Sequence, residues 1–202
     1  MNQKAMEGGR EMKVIAFNGS ARKNGNTAML INYALRELEA EGIETELVQF
    51  AGKKISGCIA CYKCMELKDG TCAVKDDPVN EWIDKMKAAD AVILGSPVYF
   101  ADLTAGIKGF IERAGMASRA GGDLLKRKIG ASVVTMRRAG AIHTFDSMNH
   151  FFLITQMIIV GANYWNTGIG KNIGEVEDDT EGIETMRVLG RNMAWLLKEL
   201  HT

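Results

Sequence analysis

Short apolar runs alternate with longer amphipathic segments along this chain, and that alternation limits the fold more than any other feature. Residues 13–17 (KVIAF), 44–50, 91–94 (AVIL), 129–135 and 157–164 read as strands. Residues 27–40, 104–114, 144–156 and 180–200 read as helices, and a further helix opens at Asp77-Pro78. In the first helix Leu30, Ala34, Leu35 and Leu38 fall on one inward face. Asp77 suits a helix cap and Pro78 the first helical position. Strands that are almost wholly apolar, separated by helices, imply a parallel sheet covered on both faces. Five such units predict a doubly wound five-stranded parallel α/β sheet over residues 13–202, behind a polar N-terminal arm, residues 1–12. In such a sheet a ligand sits at the carboxyl ends of the strands, where strand order reverses. The loops after strands one, three and four therefore carry the functional expectation.

The bulk properties close off several classes. A chain of 202 residues builds a real core without staples. Acidic and basic residues balance at 25 each, so no charge excess points to nucleic acid or an anionic membrane. The longest apolar stretch, 151–160, is interrupted by Thr155 and Gln156 and is too short to span a bilayer. The first residues, MNQKAMEGGREM, lack the apolar core of a signal peptide. A cytoplasmic protein is expected, in which thiols stay reduced.

The loop after strand one is Gly19-Ser20-Ala21-Arg22-Lys23-Asn24-Gly25-Asn26-Thr27. It leaves a buried strand and enters a helix, a geometry that aims backbone N–H groups at an anion. Ser20 and Thr27 add hydroxyls, Asn26 an amide and Arg22 a charge suited to phosphate oxygens, with Asn24 in the same loop. Neither the Walker lysine ending nor G-x-G-x-x-G is present, so a dinucleotide pyrophosphate is not the expected ligand. After strand three, Gly95-Ser96-Pro97-Val98-Tyr99-Phe100 presents an extended backbone and two aromatic rings suited to a planar ligand. After strand four come Met136-Arg137-Arg138-Ala139-Gly140, whose arginines suit an anionic ring or a second substrate's phosphate, or simply face solvent. A second glycine-rich run, 168–174, has the wrong spacing for a phosphate loop and is expected to be a plain loop after strand five.

All four cysteines, Cys58, Cys61, Cys64 and Cys72, fall within fifteen residues as C-x2-C-x2-C-x7-C. Two-residue gaps let a tight turn point three thiolates at one centre, and a short loop returns the fourth.

The G-S-x-R-x-x-G-N-T loop, the G-S-P-V-Y-F loop and a four-cysteine stretch between strands two and three occur in one order. Together they resemble the NAD(P)H-dependent FMN reductase group of the flavodoxin-like fold, and most closely its iron–sulfur flavoprotein branch. The resemblance covers nearly the whole chain from Lys13 and implies a cysteine-containing insertion after strand two. It implies FMN, with the phosphate on Ser20, Arg22, Asn24, Asn26 and Thr27. The ring would lie against Pro97, Val98, Tyr99 and Phe100, with Arg137, Ala139 and Gly140 contributing backbone. It also implies a homodimer or homotetramer. For the four cysteines the readings are a [4Fe–4S] cluster, a structural zinc, redox thiols beside a flavin, or a loop with no metal.

The leading expectation is an FMN-dependent oxidoreductase. It would pass electrons from NAD(P)H or a reduced carrier such as ferredoxin to a quinone, flavin, oxygen or peroxide, with the flavin as catalytic group. The alternatives are a non-enzymatic electron-transfer flavoprotein acting with a protein partner, and a zinc-stabilised nucleotide-binding regulator.

Overall fold

In the computed structural model, which describes residues 11–201, the strand pattern becomes one twisted parallel sheet. Its strands are β1 Lys13–Asn18, β2 Glu44–Gln49, β3 Ala91–Pro97, β4 Ile129–Met136, β5 Ile158–Ile159 and β6 Thr167–Ile169. The order β2-β1-β3-β4-β5, all parallel, is the doubly wound order of flavodoxin-like proteins. The helices are α1 Asn26–Ala40, α2 Lys63–Leu67, α3 Val79–Ala88, α4 Ala105–Ala120, α5 Ala141–Ile154 and α6 Thr180–His201. Among the described residues no helix is long and apolar enough to cross a membrane. The polar arm expected over 1–12 lies outside the described residues except for Glu11 and Met12, and the Met12 carbonyl already accepts from Glu44 N at 2.9 Å.

Side chains of successive strand residues point to opposite faces, and the core divides accordingly. Ile15, Phe17, Val92, Leu94 and Val134 face one way, under α3, α4 and α5. Val14, Ala16, Ile93, Ala131 and Val133 face the other, under α1 and α6. On the first side Phe17, Phe50, Trp82 and Phe110 form a ring cluster, with centroids 4.3 Å apart for Phe50–Trp82 and 4.7 Å for Phe17–Phe110. Phe50 immediately follows β2 and Trp82 lies on α3, so this cluster anchors both ends of the cysteine-bearing insertion.

Two expectations change. The strand expected over 157–164 shrinks to two residues, because Gly161-Ala162-Asn163 is a poor strand former and the chain leaves the edge there. It returns as β6, which pairs with the carboxyl half of β4 through Val134↔Thr167 and Thr135↔Gly168. The run 168–174, expected to be a plain loop, therefore begins as a strand. The helix opening at Asp77-Pro78 starts one residue later than expected, with Pro78 at the cap position, although Asp77 Oδ1 still accepts from Val79 N at 3.1 Å.

Candidate functional site

The loop after β1 is braced before it reaches α1. Asn18, buried at the end of β1, accepts from Ser20 N at 3.1 Å and donates to Gln49 Oε1 at 2.6 Å. Gln49 reaches Asn24 at 3.4 Å, and Asn24 sits in the left-handed region at φ 56°. Ser20 Oγ accepts from Arg22 N at 3.1 Å, so the loop curls back on its own hydroxyl. Helix α1 then begins behind Gly25, which has no side chain to cap it, and no acidic residue stands in its first turn. First-turn amides that no side chain satisfies, at the positive end of the dipole, are what an anion's oxygens need.

Neighbouring loops close on this one. Thr27 Oγ1 shares a 2.6 Å hydrogen bond with Thr135 Oγ1 at the end of β4. Thr104 donates to Gly19 O at 2.9 Å and caps α4 by accepting from Ile107 N, and its own amide donates to Ser96 Oγ at 3.0 Å. Val98 N donates to Thr135 O at 2.8 Å. The segment after β6 completes the ring. Arg22 donates to Lys171 O at 2.9 Å, Asn26 donates to Asn172 O and accepts from Gly174 N, both at 2.8 Å.

These elements enclose a pocket of about 160 Å³ at the carboxyl ends of the strands. Ser20, Arg22, Asn26, Thr27, Pro97, Val98, Tyr99 and Arg137 line it. Asn24, Phe100, Ala139 and Gly140 are not in its wall. Asn24 is turned to Gln49, and Phe100 is fully exposed at 107%. Phe100 and Ala101 are both left-handed (φ 48° and 63°), at the centre of a turn closed by Tyr99 N to Asp102 O at 2.8 Å. Two non-glycine residues in such a turn store backbone strain, which clusters at functional sites. Gly140 supports this turn from below, since a Cβ there would stand 3.0 Å from Ala101 Cα. The sequence reading missed four lining residues, Thr135, Met136, Gly170 and Lys171. Thr135 and Met136 end β4, where strand position alone flags them. Gly170 and Lys171 lay in the run set aside for its spacing.

The four cysteines line a second cavity, of about 180 Å³, which shares no wall residue with the first. Its floor is one face of α4. Gly109 admits the backbone of Ser56, whose carbonyl oxygen would lie 2.9 Å from a Cβ there. Glu112 accepts from Cys58 N at 3.2 Å, and Arg113 and Met116 form the wall one turn on. The thiols of Cys58 and Cys61 are exposed, while Cys64 and Cys72 are half-buried. Burial pushes the Cys64 thiol up, and the nearby Cys72 and Cys58 add to that. Ala60 and Tyr62, on either side of Cys61, are left-handed (φ 52° and 55°).

Among the described residues no group of three His, Cys, Asp or Glu is placed to hold one metal ion. Four thiols on one cavity nevertheless suit a multi-iron cluster in donor type and number, because each thiolate there binds a separate iron and the sulfurs stand farther apart. A single zinc would need all its sulfurs at about 2.3 Å from one point.

Arg113, 1% exposed, ties this insertion to the core. It pairs with Asp77 and donates to Val74 O at 2.8 Å, to Ser56 O at 3.4 Å and to Cys72 Sγ at 3.2 Å. Burial alone would raise the Asp77 carboxyl, but the hydrogen bonds from Arg113, Val79 N and Ser56 N outweigh it and hold it below the usual carboxylate range. A carboxyl depressed on folding contributes stability that is complete above its unfolded value of about 3.9 and lost as pH falls through the lower folded value. Asp77→Asn is therefore expected to lower the urea midpoint at pH 7 and to flatten the loss of stability below about pH 4. Urea titrations at several pH values check it.

Comparison with known proteins agrees with this fold. The sequence model of the NADPH-dependent FMN reductase family matches residues 12–172. An iron–sulfur flavoprotein of Methanocaldococcus jannaschii is 42% identical over 194 residues, covering 93% of this chain and 98% of that one. The iron–sulfur flavoprotein of Methanosarcina thermophila is 33% identical over 189 residues, covering 93% and 96%. Among solved structures, RosB with bound 8-demethyl-8-formylriboflavin-5′-phosphate superposes with a TM-score of 0.73 at 19% identity, over 94% of this chain and 80% of that one. An archaeal flavodoxin superposes with a TM-score of 0.60 at 16% identity, over 93% and 99%. At these identities the two structures speak for the fold.

Proposed function

Because the chain belongs to the NADPH-dependent FMN reductase family, in its iron–sulfur flavoprotein branch, we propose that it passes electrons from NAD(P)H or a reduced carrier such as ferredoxin to a small acceptor, a quinone, flavin, oxygen or peroxide. The observation that carries this is the convergence of three strand-end loops on one pocket beside an uncapped helix N-terminus. When bound, FMN supplies hydride and single-electron chemistry, and a [4Fe–4S] cluster on Cys58, Cys61, Cys64 and Cys72 supplies single-electron exchange.

The chain's own residues bind and orient. Ser20, Thr27, Arg22 and the first-turn amides of α1 would hold the phosphate, and Asn26 ties the segment after β6 to α1. Pro97, Val98 and Tyr99 would form the wall for the ring, Thr135 ties β4 to α1, and Arg137 places a cation at the pocket's edge. Such a cation stabilises negative charge gained on reduction. No side chain is needed as acid or base. Exposed Leu153, Ile154, Tyr164 and Trp165 on and after α5 suit a homodimer or homotetramer.

The test is anaerobic purification followed by a visible spectrum, iron and sulfide assays, and steady-state oxidation of NADH and NADPH. Flavin bands, iron and turnover with a small acceptor are expected. Negligible turnover with every acceptor would leave an electron-transfer flavoprotein that works through a protein partner. Gly140→Ala forces φ +88° on a residue with a Cβ and sets that Cβ 2.8 Å from Val98 Cγ1. The left-handed region alone costs about 1–2 kcal/mol, so the unfolding free energy of the apoprotein is expected to fall by about that much. Urea titration of the apoprotein reads this.

A further inference from the structure

The wall of the cysteine cavity contains a charged residue that thiolate ligation does not need. Arg113 projects from α4 into its wall with a fully buried guanidinium, and one of its N–H groups, on Nε, is directed at a ligand sulfur, Cys72 Sγ at 3.2 Å. The rest of the fork is occupied by fixed partners: Asp77, the Ser56 and Val74 carbonyls and Ser56 Oγ. Cys72 is gripped from the other side as well. Asn80 accepts from its backbone N–H at 2.7 Å and donates to its carbonyl at 3.0 Å. Cys58 and Cys61, by contrast, present exposed side chains. The sulfurs are thus held unequally, with a buried cation on one of them.

Resting on the reading that these cysteines hold an iron–sulfur cluster, we propose that Arg113 is a positioning residue that sets the cluster's reduction potential through its N–H to Cys72 Sγ, with Asp77 moderating the guanidinium charge. Hydrogen bonds to the ligand sulfurs, net charge and burial set cluster potentials, and this residue combines all three. Positive charge beside the sulfur favours the reduced, more negative cluster. Asp77, paired to the same guanidinium, opposes that effect.

The two partners therefore predict opposite shifts. Arg113→Lys keeps a cation but loses the planar fork and the N–H aimed at the sulfur. Its midpoint potential is expected to move negative, by at least about threefold in the ratio of reduced to oxidised cluster at a fixed potential. Asp77→Asn keeps the shape and removes the opposing charge, so its potential is expected to move positive. Both proteins are purified anaerobically, reconstituted with iron and sulfide, and titrated by electron paramagnetic resonance, with iron per chain and far-ultraviolet circular dichroism measured alongside. A purely structural role would lower iron content in both variants and leave the potential of the remaining cluster unmoved, which overturns the proposal. Shifts of the same sign in both variants also overturn it. Wild-type protein that takes up no iron or sulfide on reconstitution would instead remove the cluster reading, and the proposal with it.

Discussion

Serine at Cys61 and Cys64 together is expected to abolish bound iron and sulfide while leaving flavin at the wild-type stoichiometry. A hydroxyl is a harder and far less acidic donor than a thiol, and the two cysteines that remain cannot close a four-thiolate shell. The flavin is expected to survive because the two cavities share no wall residue. The pocket at the strand ends is built from β1, β3, β4 and the segment after β6, while the cysteines rest on α4 and the start of α3. Cys61 is exposed and Cys64 half-buried, so neither substitution opens a hole in the core. Iron, acid-labile sulfide and flavin absorbance per chain, measured on anaerobically purified C61S/C64S, check the expectation. Parallel loss of flavin and iron would show the two cavities to be one cooperative unit.

Phe110→Ala is expected to produce the largest fall in stability. Phe110 is fully buried on α4, and its ring lies 4.7, 5.6 and 5.8 Å from those of Phe17, Phe50 and Trp82. Truncating a buried Phe costs about 3–5 kcal/mol in lost transfer energy and cavity formation. For a chain of this size that corresponds to a fall in Tm of roughly 6–20 °C. The substitution also bears on the cysteine insertion, because Phe50 precedes the insertion and Trp82 follows it. Iron content is therefore expected to fall at temperatures below the global transition, when the ends of the insertion loosen first. Calorimetry with iron release followed in parallel measures both.

How much of this was legible in the sequence follows from the range of each signal. Strands β1, β3 and β4 are runs of apolar residues, and continuous burial is visible without knowledge of any partner. The loop after β1 was legible as one side of the strand-end pocket because strand, loop and helix are adjacent in the chain. β6 was not, because Thr167-Gly168-Ile169 is too short for a period and becomes a strand through the edge of β4 that the broken β5 leaves open. Gly170 and Lys171 lie in a run whose spacing gives no phosphate-loop signal, yet they join the pocket beside long-range hydrogen bonds from Arg22 and Asn26. Arg113 gave no sequence signal at all. It is a charged residue in the middle of an amphipathic helix, and the partners that bury it lie 36 and 41 residues away. Cysteine spacing suggested a shared centre, but not that one sulfur would be singled out by a cation.

The clasp between Arg22 and the Lys171 carbonyl gives closure of the strand-end pocket a place in time. Its two halves are separated by 149 residues of chain. At translation speeds of about 5–20 residues per second, the second half emerges roughly 7–30 s after the first. The loop after β1 is thus among the first parts of the domain to be made, and the segment that closes on it among the last. A ribosome stalled before residue 171 would carry the loop and the uncapped helix end with no closing wall. The pocket wall, which includes Gly170 and Lys171, is therefore complete only once the chain has passed residue 171.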